Sequence, residues 1–237
     1  MQKTIIAILT VVAIGAAPAA SFGGVLHSRC EDGDSTCKEF EQLIDQQQPG
    51  KIIALYDPAK RYSDASLHYV GDAYLQLASG DNVTPEQEEG YYRKALEVKH
   101  YIAYMGLYFF YAQKDEEKAL GFLREYVKTK PADTVPYVIL GESELDKKHY
   151  DLADAYLREG KKVAHAHSPR VDWLLFQANY MLGNYQFARD MFESAVTNGN
   201  FEKEIKAVVA DHRFDGIDKR PEFERYQGTF SKGKTPK

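Results

Sequence analysis

The feature that most constrains this chain is a helical hairpin pattern that recurs between about Asp64 and Asn200. One copy reads Tyr137, Leu140-Gly141, Tyr150, Ala153, Leu157 and Gly160, and another reads Gly183, Tyr185, Ala188, Phe192 and Ala195. In both, a small residue falls three places after a large apolar one in the second helix. Two antiparallel helices that pack closely and then stack on the next pair need that arrangement. Recurrence at a period of about 34 residues implies a solenoid, an architecture that works mostly through its surface. The pattern also predicts that Gly141 and Ala153 sit where two helices touch.

Four repeats account for the middle of the chain, at about 64–98, 99–132, 133–167 and 168–200. Connections are short apart from Ser79 to Pro85, so consecutive helices are antiparallel neighbours. Pro85 suits the first turn of the helix that follows. No useful period-two apolar alternation appears, which argues against a sheet. Before the repeats, residues 20–63 read as a linker with a cysteine pair and two capping helices. Thr36 and Glu39 have capping-box spacing at the head of the first of these helices. After the repeats, 201–227 reads as a closing element, and 228–237 turns polar and basic, as a disordered tail would.

The first residues form an export signal. Lys3 precedes an apolar run of about 10–14 residues, short of the roughly 20 that span a bilayer, and Ala17-Pro18-Ala19 supplies a small-residue cleavage site. The expectation is removal of 1–19, a periplasmic or secreted location, and no membrane insertion of the mature chain. The formal net charge is −5, and loss of Lys3 makes the chain one unit more acidic. That excludes long-range attraction to nucleic acid. In an oxidising compartment Cys30 and Cys37 are expected to form a structural disulfide, with Gly33 allowing the turn. Such a small loop contributes about 2–3 kcal/mol.

These residues resemble the tetratricopeptide repeat family over most of Asp64 to Asn200. The first repeat, with its long connection, is similar to the Sel-type variant. The stretch Phe214-Asp215-x-Ile217 to Pro221-x-Phe223 resembles the element that often closes such arrays. Glu144 departs from the pattern, standing where the family usually has an aromatic. The resemblance implies an all-α, right-handed superhelical solenoid whose first helices line a concave groove for protein or peptide partners. It implies no catalysis and no cofactor.

Aromatic crowding supplies the candidate site. Tyr101, Tyr104, Tyr108 and Tyr111 share a stripe of one helix, beside a second stripe of Ile102, Met105 and Phe109 that reads as core. Alignment from Ala119 turns the tyrosines to the groove, and alignment from Gly106 turns them toward the preceding repeat. In the fourth repeat Arg170, Trp173, Gln177 and Tyr180 face the groove by alignment from Gly183; the alternative for Trp173 is that it fills the interface to the third repeat. His68 and Asp72 join it from the first repeat and Glu142 from the third. Tyrosine, valine and acidic residues stand where a carboxylate clamp would need Lys and Asn. His165 and His167 lack further metal ligands, so no metal is expected. No catalytic motif stands out.

The expected function is an exported scaffold that binds a protein or peptide segment in an aromatic-lined groove. The alternative is a module for glycan or peptidoglycan fragments, with Trp173 and the tyrosines stacking on sugar faces. Peptide binding calls for a long open groove, and glycan binding for a closed aromatic pocket with convergent polar groups. Intact mass of the exported protein should show a chain beginning close to Ala20; a membrane-bound chain that keeps Met1 would refute the signal.

Overall fold

The computed structural model describes residues 30–164, 168–199 and 201–231. The leader, the His165 and His167 pair and the last basic residues lie outside the described residues. Two short helices come first, α1 (Ser35–Asp45) and α2 (Pro49–Leu55). Four hairpins follow: α3 (Asp64–Ala78) with α4 (Pro85–Glu97), α5 (Ala103–Tyr111) with α6 (Glu116–Lys128), α7 (Val135–Asp146) with α8 (Tyr150–Val163), and α9 (Pro169–Met181) with α10 (Tyr185–Asn198). Helix α11 (Glu202–Ala210), three 3₁₀ turns (His212–Phe214, Ile217–Lys219 and Pro221–Tyr226) and α12 (Gln227–Ser231) close the chain. The fold is an all-α solenoid of antiparallel helical hairpins, with no strand among the described residues.

Local chemistry sets the helix starts. Proline occupies the first turn of α2, α4, α7 and α9, where its missing N–H costs no bond. Thr84 and Gln87 make a reciprocal capping box on α4. The N-cap of α1 is Asp34 and not Thr36: its carboxylate accepts the Cys37 N–H at 2.9 Å. The same carboxylate accepts the Ser63 hydroxyl at 2.6 Å, and Ser63 in turn caps α3. These bonds, Ser63 first and the Cys37 N–H next, hold the Asp34 carboxyl below its ordinary value. The Cys30–Cys37 disulfide, whose Cα atoms are 5.5 Å apart, closes the loop around this cap.

Four helix ends share one turn. After α1, α4, α7 and α9 the chain passes through a left-handed residue: Gln47, Lys99, Lys148 and Gly183. The next residue then donates its N–H back into the helix, as His100 does to the Ala95 carbonyl and His149 to the Glu144 carbonyl. This Schellman turn satisfies carbonyls that the helix end would otherwise leave open, and it fixes where the following side chain points.

Packing within a hairpin rests on missing side chains. A Cβ at Gly141 would run into the Leu157 side chain of α8, and one at Gly160 into the Tyr137 side chain of α7. Ala153, also on α8, is fully buried. The core falls into three apolar clusters along the solenoid. The N-terminal one joins Cys37, Phe40 and Ile52 to Tyr69, Val70 and Ala95; the C-terminal one runs from Leu145 to Phe230. Between them lies a small cluster of Leu120, Leu123 and Leu140. Phe230 lies beyond the Gly228 boundary where a disordered tail was expected, yet it is fully buried: Phe192 and Phe223 offer it an aromatic face. Overpacking a contact without a side chain usually costs about 1–3 kcal/mol. Gly141→Leu should lower the melting temperature clearly; an unchanged melt would mean that α7 and α8 do not meet at Leu157.

Candidate functional site

Helix α5 is apolar or aromatic around its whole circumference, yet only Ala103 and Leu107 of its 9 residues are buried. Helix α9, although it carries Arg170, Asp172, Gln177 and Asn179, buries Val171 to Phe176 together with Ala178, Asn179 and Tyr180, nine of its 13 residues. A helix apolar on all sides is ordinarily enclosed. Helix α9 is enclosed as a central helix, and by that measure α5 is a helix with part of its surroundings missing.

The tyrosine stripe of α5 does not act as one face. Tyr101, expected on the helix, lies in the turn just before α5 and is 41% exposed. Tyr104 lies half-buried with its ring 6.3 Å from that of Tyr126 on α6. Burial pushes the Tyr126 phenol up to about 12. Tyr108 packs on the Leu120, Leu123 and Leu140 cluster, and its phenol is raised by burial first and then by the charges of Glu116 and Glu142. Tyr111 stacks on Phe122 of α6, under the Lys118 ammonium at 3.7 Å. It also reaches α4, where hydrogen bonds from Tyr111 and Arg93 hold the Glu89 carboxyl below its ordinary value. Within the second stripe, Phe109 was read as core and is 48% exposed, while Ile102 and Met105 are half-buried. The reason is that α5 leans chiefly on α6 and α4, with its Gly106 set against the Tyr92 ring of α4. Ala103 and Leu107 take the buried side of α5, and Phe109 lies nearly opposite them.

On α7 and α9 the structure brings two expected residues together. The Arg170 guanidinium Nε donates to Glu142 Oε1 at 2.9 Å, bridging the first helices of the third and fourth repeats. Glu142 also lies close enough to Tyr108 for its charge to be felt there. Gln177 is half-buried on α9. Tyr108, Glu142 and Arg170 thus follow one another across three successive repeats.

Trp173 and Tyr180 do not belong with them. Trp173 is 2% exposed, with its ring stacked 5.1 Å from that of Phe201 and tilted against Phe176 and Phe192. Tyr180 is 5% exposed between Phe214 and Phe223, and its hydroxyl accepts Arg220 Nε at 3.2 Å. No fifth hairpin follows α10, so the closing segment folds back and supplies the aromatic surface that a further repeat would have given. The expectation that these two rings line an open groove is therefore corrected: the chain's own C-terminal element covers them. The closing element expected at 201–227 is what covers them, although its reach to Trp173 and Tyr180 was not read from the sequence.

Other polar groups near the first helices are structural. Glu144, in place of the usual aromatic, is 5% exposed and bonded to His149 Nδ1 at 2.8 Å, with Arg124 at 3.6 Å. Asp172 is buried between Lys161 Nζ at 2.5 Å and the Ser194 hydroxyl at 2.5 Å. A cleft of about 480 Å³ lies at the N-terminal cap, lined by Asp34, Phe40, Arg61, Tyr62 and Ser66 among others, away from the α5 tyrosines. No helix among the described residues is long and apolar enough to cross a membrane.

No protein-family model matches the chain, and no curated protein matches its sequence. Among solved structures it is similar to the APC/C hetero-tetramer Cut9-Hcn1, with 15% identity, a TM-score of 0.42, and coverage of 83% of this chain and 38% of that one. It is also similar to the MamA RS-1 ArsTM double mutant, with 15% identity, a TM-score of 0.42, and coverage of 69% of this chain and 94% of that one. The chain thus spans 38% of the length of the first.

Truncating a buried tryptophan usually costs about 3–5 kcal/mol. Trp173→Ala should therefore lower the melting temperature sharply. A near-parental melt would return Trp173 to the list of exposed residues.

Proposed function

We propose that this chain is an exported, non-catalytic scaffold that takes a segment of a protein partner across the first helices of its second to fourth repeats. The observation that supports the reading most is the state of α5, an aromatic helix with only two buried residues. Exposed aromatic surface on an otherwise polar protein marks an interaction site, because covering it releases water and orders few side chains. Tyr101, Tyr104 and Phe109 would supply apolar contact, with Tyr108 and Tyr111 as its floor. The Glu142–Arg170 pair would set the orientation of a polar or charged group on the partner, and Gln177 would add a hydrogen bond. The Cys30–Cys37 disulfide is what an oxidising destination outside the cytoplasm would produce.

The glycan alternative loses ground on one observation. It calls on Trp173 and the tyrosines as stacking platforms, and the rings of Trp173 and Tyr180 lie in the C-terminal core. The α5 rings are spread over several directions and do not converge on a pocket.

The test is photo-crosslinking in the native host. A photoreactive residue at Tyr101 or Phe109 should capture a discrete partner, and one at Glu125, exposed on α6, should not. Capture at Glu125 alone, or none at α5, would remove the α5 side as the site. Hot-spot truncations typically cost at least about 2 kcal/mol of affinity, roughly thirtyfold. Tyr101→Ala together with Phe109→Ala is expected to weaken the captured partner by that order while the melt stays near the parent's.

A further inference from the structure

The first repeat carries a cluster that the partner-binding reading does not use. His68 and Asp72 lie one helical turn apart on α3, and His100 reaches them from the turn after α4. Asp72 Oδ1 is 3.0 Å from His100 Nε2, and Asp72 Oδ2 is 3.5 Å from His68 Nε2. The two imidazole rings are 4.6 Å apart, and one candidate ligand atom from each of the three residues falls within 4.8 Å of the others. From these distances we propose that His68, Asp72 and His100 form a binding site for a divalent transition-metal ion of the zinc class.

Geometry carries the first part of the argument. An ion bound tetrahedrally at about 2.0–2.1 Å requires its ligand atoms about 3.3–3.4 Å apart. The His100 separation from Asp72 Oδ1, 3.0 Å, is near that value, and His68 stands 3.5 Å from the other carboxylate oxygen. Rotation of the partly exposed His68 and Asp72 side chains would bring the three ligand atoms, already within 4.8 Å of one another, to that spacing.

The scaffold carries the second part. His68 and Asp72 are held on one face of a four-turn helix. His100 is placed by the Schellman turn: left-handed Lys99 reverses the chain, and the ring packs directly on Gly71, where no Cβ intervenes. The His100 side chain is 5% exposed, whereas His68 and Asp72 are 22% and 31% exposed. The site is therefore closed on the protein side and open toward solvent. Three protein ligands would leave a fourth position for water or for a group from outside.

Ligand chemistry selects the ion. Two imidazoles and one carboxylate suit Zn²⁺, Ni²⁺, Co²⁺ or Cu²⁺; Ca²⁺ and Mg²⁺ need more oxygen ligands than the cluster provides. His100 Nδ1 is buried with no hydrogen-bond partner among the described residues. With Nε2 on the metal, no protein acceptor fixes the other ring nitrogen. Loss of such a second bond costs about 10–100-fold in metal affinity, so binding should be moderate and readily reversed by chelators. The ion would tie α3 to the start of α5, joining the first repeat to the second.

The test uses the purified full chain, stripped with a chelator and titrated with zinc chloride by calorimetry, with thermal melts alongside. One equivalent of zinc should bind per chain and raise the melting temperature, and calcium should do neither. Because His100 packs on Gly71, its replacement could unfold the repeat; the partly exposed ligands provide the cleaner variants. His68→Gln and Asp72→Asn should each keep the parental circular dichroism and bind zinc at least about tenfold more weakly. Absence of zinc binding by the parent would overturn the proposal. So would folded variants that bind as the parent does, since the metal would then sit on other histidines.

Discussion

The solenoid depends on how closely its paired helices approach. Gly141 lets Leu157 lie directly on the α7 backbone, and Gly160 does the same for Tyr137 from the other side. Two helices that touch at their backbones are fixed in spacing and tilt, because neither contact can slide without opening a void. The same device recurs between neighbouring repeats, where Gly71 receives His100 and Gly106 receives Tyr92. Once the hairpins are set, each Schellman turn delivers its next residue onto a helix already in place. His100, His149 and Asn184 all occupy that position, and each bonds a polar group there: Asp72, Glu144 and Asn179. The polar joints thus follow from the apolar ones.

Those joints are not equal. The apolar cluster between the second and third repeats consists of three leucines, with charge around it. Arg124 joins Glu117 at 2.7 Å and Glu144 at 3.6 Å, and Lys147 reaches Glu117 at 3.1 Å. A buried carboxylate is tolerated only when paired, and removing one partner costs more than the pair contributes. Glu144 is thus a position where the usual apolar contact has been exchanged for an ionic one.

Much of this was legible in the sequence because helical hairpins are local objects. The recurring pattern put Gly141 and Ala153 at a helix contact, and in the structure Gly141 meets Leu157 while Ala153 is fully buried. What could not be read are events between distant segments. Asp34 caps α1 in place of Thr36 because Ser63, twenty-nine places on, bonds the same carboxylate. Trp173 and Phe230 are buried by a segment whose return path no periodicity encodes. Phe109 faces outward because Ala103 and Leu107, on the opposite side of α5, take the buried face. The His68, Asp72 and His100 cluster was half visible as two residues spaced by four; its third member stands 28 positions from Asp72 and arrives only through a left-handed lysine.

The aromatic cover over α9 and α10 has a bearing on assembly. A stack of hairpins is open-ended by construction, and its last face is shaped to receive the first face of an identical unit. Such head-to-tail contacts do not close on themselves and propagate as fibres. Phe201, Phe214, Phe223 and Phe230, all buried, occupy that face within the same chain. At the opposite end α1 and α2 cover Tyr69 and Val70, pinned by the disulfide and the Asp34 carboxylate. Among the described residues both end faces of the stack are covered by the chain's own segments, which leaves its flank as the surface open to a partner.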